Sequence, residues 1–356
     1  MGQRQNIHAN PFSTHKLLAH PDRLHQWKAE GWVAPISVGI DVTNICNHRC
    51  PQCNGADFAD KTTIGLDSLE RIFRQLSEAG VKAVSLGGGG DASCHPHAAE
   101  ILRLIHGFGM KVGLFTNGFL MRPDMMEAMV DCCLWVRISL DADGPALYRQ
   151  THGMGGKAFE RVKDNTRRLV NLRHERQSPL TIGTSYLIGS HTISGIYGAA
   201  ETARDMGTDY IRFRPYFAWN GDLPFARADL PKVMQSLDRC KDLETDRFKV
   251  SYPDARTVWV GDEAASVNYT QCHVHHFTTQ IAASGKMYLC CHTKDREKYM
   301  LGDLTKQSFA EIWNSQRRRD VYQDIDYRDC PYPCMMSGHN ELLETIAKPG
   351  SHSDFL

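Results

Sequence analysis

Six short apolar runs that alternate with stretches of helical period constrain the fold of this chain more than any other feature. The runs cover residues 35–44, 81–88, 110–117, 134–141, 180–188 and 209–217, and this alternation is the pattern of β/α units around a parallel sheet. In the gap at 65–80, Leu66, Leu69, Ile72, Phe73 and Leu76 fall on one helical stripe, with Asp67 as the expected N-cap and Gly80 as the stop. Residues 123–133, 157–172 and 194–207 fill later gaps in the same way, and residues 20–31 form a short helix before the first strand, with Pro21 in its first turn. Because side chains alternate faces along a strand, Leu134, Val136, Ile138 and Leu140 oppose Trp135, Arg137, Ser139 and Asp141. Likewise Ile36, Val38, Ile40 and Val42 oppose Ser37, Gly39, Asp41 and Thr43, and Ile211 and Phe213 oppose Tyr210, Arg212, Arg214 and Tyr216. A doubly wound sheet is apolar on both faces, and a closed eight-stranded barrel fills its middle with branched apolar residues. The expected fold is therefore α/β, a partial (β/α)6 TIM-like barrel over residues 35–220 with a wet, ligand-sized lumen.

Residues 44–53 read NICNHRCPQC, so Cys46, Cys50 and Cys53 stand three and then two residues apart on the loop leaving the first strand. Metal sites built from thiolates ordinarily use four protein ligands when structural, whereas three leave a position for an exogenous ligand. The loop lies at the C-terminal mouth of the barrel, where barrel enzymes keep their chemistry. Twelve cysteines in a chain of 356 residues with no apolar signal core at its start point to metal or redox chemistry rather than to a disulfide framework. Lys plus Arg and Asp plus Glu both number 41, so no net field draws the chain to nucleic acid or a membrane surface. Asn6 departs from a myristoylation motif, and no apolar run approaches the ~18 residues of a membrane span. The expectation is a cytoplasmic protein with a small-molecule substrate.

This three-two cysteine spacing after the first strand of a partial barrel resembles the radical S-adenosylmethionine (SAM) enzymes, over roughly residues 35–340. The resemblance implies that Cys46, Cys50 and Cys53 hold a [4Fe-4S] cluster with an open iron site where SAM binds. It also implies that SAM is cleaved to a 5′-deoxyadenosyl radical, and that the electron comes from a donor of flavodoxin or ferredoxin type. LGGGGDASCHP resembles the family's glycine-rich turn for the SAM amino group. Gly88, Gly89 and Gly90 match, as do His95 and Pro96, while Asp91 and Ala92 replace the usual Glu and Pro. TNG and RISLDAD resemble the stretches that contact the methionine and ribose, with Asn117 and Ser139 as the implied contacts.

A second cysteine region follows a linker with a helix at 230–243 (domain bounds 221–255). ASGKMYLCC has the form of a β-hairpin turning at Ser284 and Gly285, and residues 301–320 read as a loop entering an amphipathic helix. This resembles the SPASM and twitch extensions, which sets the expected bounds at 256–345, a small C-terminal α+β iron–sulfur domain, with 1–34 an N-terminal extension and 346–356 a tail. Five cysteines, Cys272, Cys290, Cys291, Cys330 and Cys334, suffice for one auxiliary [4Fe-4S] cluster and not two. Cys272, Cys290, Cys330 and Cys334 are the implied ligands, with Cys291 the alternative to Cys290 and a zinc knuckle the alternative to the cluster. His273, His275 and His276 are expected to be bystanders at the surface, and Cys94, Cys132, Cys133 and Cys240 buried thiols.

Arg137, Arg212, Arg214, Tyr210 and Tyr216 suit a hydroxylated or carboxylated substrate, because the guanidinium fork pairs with carboxylate or phosphate. Arg212, Arg214 and Tyr216 are the expected catalytic-site residues. Pairing of these arginines with Asp41 and Asp141 is the structural alternative. The resemblance implies oxidation of a sugar, aminocyclitol or nucleoside alcohol in natural-product biosynthesis. Epimerisation or decarboxylation, peptide modification, and a non-catalytic iron–sulfur or zinc protein remain open. With about 35 residues before the first strand, a leader-binding domain is not expected.

Overall fold

The computed structural model describes residues 12–53, 59–216, 224–253, 268–326, 330 and 334–351. The linker expected from 221, the domain start at 256 and the end of the tail lie wholly or partly outside them. Strands β1 (Ser37–Ile40), β2 (Ala83–Leu86), β3 (Lys111–Thr116), β4 (Cys133–Ser139), β5 (Thr181–Ile188) and β6 (Tyr210–Pro215) fall inside the six apolar runs apart from Cys133, one residue before its run. They are followed by β7 (Lys249–Ser251), β8 (Thr278–Ile281), β9 (Lys286–Tyr288) and β10 (Met300–Asp303). The helices are α1 (Pro21–Glu30), α2 (Leu66–Glu78), α3 (Ala98–Gly107), α4 (Pro123–Cys132), α5 (Pro145–His152), α6 (Gly156–Glu175), α7 (Ile196–Asp205), α8 (Leu230–Cys240), α9 (Phe309–Trp313), α10 (Gln316–Gln323) and α11 (Ser337–Ala347).

Among the described residues one sheet runs in the order β10-β9-β8-β1-β2-β3-β4-β5-β6-β7. β1 to β7 are parallel neighbours, the arrangement of a partial TIM-like barrel. The hairpin does not stand apart: β8 pairs parallel with β1, from Ser37↔Thr278 to Ile40↔Ile281, and β9 and β10 continue antiparallel. One hydrophobic core accordingly runs from α2 and α3 through the sheet to Leu301, Phe309, Ile312 and Trp313.

Three local expectations are corrected. Asp67 lies in the first turn of α2, and the N-cap is Gly65, with no side-chain cap. Leu134 is 47% exposed, because the β3–β4 register shifts where Val112 faces Cys133 and Gly113 faces Trp135, which turns Leu134 outward and gives its core place to Cys133. The helix expected at 230–243 ends at Cys240 and finishes in a 3₁₀ turn, Lys241–Leu243.

The polar strand faces meet in the lumen, where bulky rings pack over glycines of the neighbouring strands. A Cβ at Gly113 would come within 2.2 Å of the Trp135 ring, and one at Gly183 within 2.1 Å of the Tyr210 ring. These inward glycines let the rings of neighbouring strands narrow the lumen near Arg137, whose guanidinium lies 5.1 Å from the Phe115 ring while its Nε donates to Tyr210 Oη at 3.1 Å.

Candidate active site

The three-cysteine loop is held at its stem by backbone. Past β1, Asn44 N donates to Thr62 O at 2.8 Å and Ile64 N to Val42 O at 3.0 Å. The glycine turn after β2 grips the same stem, with Gly90 N on Thr43 O at 2.8 Å and Asp91 N on Ile45 O at 3.0 Å. A Cβ at Gly90 would sit 2.1 Å from Ile45 O, so this contact requires glycine. Cys53 N donates to Cys50 O at 3.2 Å, His48 N to Cys46 Sγ at 3.4 Å and Asn117 Nδ2 to Cys46 Sγ at 3.8 Å. Burial and then the neighbouring Cys53 and Cys46 push the Cys50 thiol up, so the three thiols feel one another.

Asp91, expected at the cofactor, spends its carboxylate on the chain. It accepts from Ser93 N at 2.9 Å, from Thr116 Oγ1 at 3.0 Å and from Asn117 N at 2.6 Å, and is 5% exposed. Through these bonds it fixes the backbone of Asn117, whose Nδ2 donates to Asn47 Oδ1 at 2.9 Å within the cysteine loop. Gly88 and Gly89 pack against the Asp41 side chain. The Ser139 carbonyl contacts His152 Nε2 at 3.2 Å, beside the stacked Tyr148 and His152 rings, 4.1 Å between centroids. Burial, ahead of any charge, draws His48 down to about 4 and so favours a neutral ring, 2.9 Å from Tyr148 Oη.

The arginines do not pair with Asp41. That carboxylate, 1% exposed, accepts from Gln280 Nε2 at 2.8 Å and from Lys294 Nζ at 2.8 Å. Asp141 accepts from Leu187 N at 2.7 Å, and burial raises it to about 7 while the Arg214 charge opposes the rise. Arg212, lowered to about 9 by burial and then by Arg214 and Arg137, donates to Ser251 Oγ at 3.2 Å and lies 3.8 Å from the Phe12 ring. Arg214, lowered to about 10 by burial and then by Arg137, also feels the charges of Asp141 and Cys291. Tyr216 stacks on His191 at 5.6 Å. Sequence patterning missed Gln280 and Lys294, since nothing local marks residues whose partner is Asp41, on the far side of the chain.

In the second cysteine region, Cys272 feels Cys334, Cys290 and Cys330, Cys334 feels Cys290, and Tyr269 feels Cys334, Cys272 and Cys330. Cys290 accepts from the Cys291 thiol, which makes it the more acidic of the two, and Thr293 Oγ1 lies 3.8 Å from its sulfur. Cys291 is solvent-accessible yet largely surrounded, as a side chain lining a recess is, and it faces Asp41 and Arg214. His273, His275 and His276 are buried, not at the surface: His273 bonds Glu344 at 2.8 Å and Tyr322 at 3.1 Å under Trp27. Cys94 and Cys132 are half-buried, whereas Cys133 and Cys240 are buried.

Among the described residues no three His, Cys, Asp or Glu side chains converge on a single-ion site. Two sets of thiols, each within mutual electrostatic reach, suit iron–sulfur clusters. The description "Radical SAM superfamily" matches residues 40–203, and "Iron-sulfur cluster-binding domain" (SPASM) matches residues 272–336. The chain carries a radical SAM domain followed by a SPASM domain. Its cofactors are a [4Fe-4S] cluster, SAM and an auxiliary iron–sulfur cluster.

The chain is similar to dTDP-4-amino-4,6-dideoxy-D-glucose ammonia-lyase of Streptomyces venezuelae, 24% identical over 60% of this chain and 47% of that protein. It is also similar to a PqqA peptide cyclase of Rhodopseudomonas palustris, 21% identical over 88% of this chain and 82% of the cyclase. The match thus spans about half the length of the first relative and most of the second. SuiB of Streptococcus suis, solved bound to SAM, shares the fold with a TM-score of 0.66 at 15% identity, covering 86% of this chain and 72% of SuiB. No helix among the described residues is long and apolar enough to cross a membrane.

Cys290 and Cys291 give a prediction of their own. Cys290→Ala is expected to lower the iron content by one cluster, and Cys291→Ala to leave it unchanged, as read by iron and sulfide analysis after anaerobic reconstitution. The reverse result would make Cys291 the ligand.

Proposed function

We propose that this chain is a radical SAM oxidoreductase that removes two hydrogens from an anionic, hydroxylated small molecule of sugar, aminocyclitol or nucleoside type, in the reducing cytoplasm. When bound, the SAM-site cluster and SAM supply a radical that takes a hydrogen atom from carbon, and the auxiliary cluster supplies an acceptor for the second electron. Cys46, Cys50 and Cys53 hold the first cluster; Cys272, Cys290, Cys330 and Cys334 hold the second. Gly88, Gly89 and Gly90 border SAM through backbone, while Asn117 and Ser139 complete its contacts and Asp91 holds Asn117 in place.

The observation that carries the reading is that Arg214 lies within the field of both Asp141, which also bears on Cys50 of the cysteine loop, and Cys291 of the auxiliary region. With Asp41 held by Lys294, the charges of Arg214 and Arg137 bear on Arg212, and an anionic group relieves that repulsion. Arg212 and Arg214 bind that group and Tyr216 bounds the chamber. Asp141, held near neutrality, accepts the hydroxyl proton.

The test incubates the reconstituted chain, SAM and a reductant with a panel of phosphorylated and carboxylated sugars, cyclitols and nucleotides. The expected product is two hydrogens lighter than its substrate, with substrate deuterium recovered in 5′-deoxyadenosine. A product of equal mass carrying solvent deuterium would replace oxidation by epimerisation. The alignment over most of a PqqA peptide cyclase favours a second reading, peptide modification. It gains if no small molecule is altered and a peptide is.

A further inference from the structure

A surface groove outside the lumen is unused by the chemistry above. It is a cavity of about 630 Å³ between the turn entering α4 and the outer face of α6, and Arg122, Lys157, Glu160, Arg161, Asp164 and Arg168 line it. Its carboxylates are already matched, Glu160 by Lys163 at 3.1 Å and Asp164 by Arg167 at 3.7 Å. Among the described residues, Lys157, Arg161 and Arg168 face no carboxylate of the chain within ion-pair distance. This cationic patch stands on a chain whose formal net charge is zero, so it is a local feature and not an overall bias.

Packed rings link the groove to the three-cysteine loop. The Arg161 guanidinium rests 4.2 Å from the Phe119 ring, which meets the His48 ring edge to face at 5.5 Å between centroids. The backbone of His48 donates to Cys46 Sγ at 3.4 Å. Two packed rings therefore join the groove to a cysteine sulfur without an intervening gap. Electron transfer falls steeply with distance and is favoured through packed atoms. The exposed Arg49 of the same loop anchors beside α5, its N donating to His152 O at 3.3 Å.

We infer that the groove of Lys157, Arg161 and Arg168 is the docking surface for an acidic single-electron carrier protein, with Phe119 and His48 lying on the route to the Cys46 cluster. One electron passes and no atom moves: a flavodoxin hydroquinone becomes its semiquinone while the oxidised cluster is reduced by one. Opposite charge steers the encounter, so the association is fast at low ionic strength and slows as salt screens it. The inference rests on the cluster assignment and is independent of the substrate reading, so either can fail alone.

The test mixes the anaerobically reconstituted full chain with flavodoxin hydroquinone in a stopped-flow instrument and follows loss of cluster absorbance. The variant Lys157→Glu/Arg161→Glu/Arg168→Glu is expected to be reduced at least ~10-fold more slowly at low salt, with reduction by dithionite unchanged. Lys82→Glu/Lys111→Glu, at the opposite ends of β2 and β3, is expected to match the native chain. In parallel, calorimetry measures binding of oxidised flavodoxin to each chain without its clusters, so the answer stands even if a variant loads iron poorly. At least ~10-fold weaker binding by the triple variant is expected. Equal flavodoxin binding and equal reduction rates for the native chain and the triple variant would overturn the inference, as would equal losses in the Lys82/Lys111 control.

Discussion

Replacing any one of Cys46, Cys50 or Cys53 by alanine abolishes formation of 5′-deoxyadenosine from SAM and lowers the iron content by about four per chain. The loop offers no substitute donor. Cys94 is the nearest other cysteine, but its sulfur is 3.6 Å from Asn47 Oδ1 and belongs to the turn after β2, and burial followed by the Asp91 charge pushes its thiol up to about 12. The fold itself is insensitive to these changes, because the loop is held by its stem, through Thr43, Ile45 and Val42, and contributes no cysteine to the core. Iron in the auxiliary set is therefore expected to remain, and circular dichroism to be unchanged. A variant that retains its normal iron content and still yields 5′-deoxyadenosine would exclude this loop as the ligand set.

The six barrel strands were legible because each is short, bounded and apolar on its helix-facing side, and the cysteine loop because its spacing is local. What escaped the sequence was pairing between distant residues. That β8 extends the barrel sheet beside β1 depends on contacts across some 240 positions, as in the bond from Ser37 to Thr278 at 3.4 Å, where |i−j| is 241. Period-two alternation placed Val136 and Ile138 correctly and failed at Leu134, since a bulge resets the count without a sequence mark. Asp91 shows the same limit at the site: its position after three glycines was evident and Ser93 is two residues along, but its other two partners, Thr116 and Asn117, come from the end of another strand. The alternative of pairing the lumen arginines with Asp41 fails because Lys294, from the loop after the hairpin, holds that carboxylate.

Lys294→Met is expected to cost about 3–5 kcal/mol of stability, because it strands a buried carboxylate. The Asp41 side chain is 0% exposed and Lys294 10%, and their 2.8 Å contact ties the loop carrying Cys290 to the strand carrying the cysteine loop. Burial pulls Lys294 down, and the Asp41 carboxylate more than offsets that, so the pair favours the lysine cation. Burial raises Asp41 and Lys294 opposes the rise, so removing the lysine raises it further. The ionised carboxyl is then disfavoured in the fold relative to the unfolded chain, which places the deficit at neutral pH and shrinks it as pH falls through the raised value. Asp41→Asn/Lys294→Met is expected to recover most of the loss, since Gln280 Nε2 retains an oxygen to donate to. Denaturant midpoints at pH 7 and pH 5 check both signs, and equal midpoints for Lys294→Met and the native chain at pH 7 would remove the pair from any structural role. Because Gly88 and Gly89 pack on the Asp41 side chain, the single variant should also bind SAM more weakly, and the double variant should restore binding along with stability.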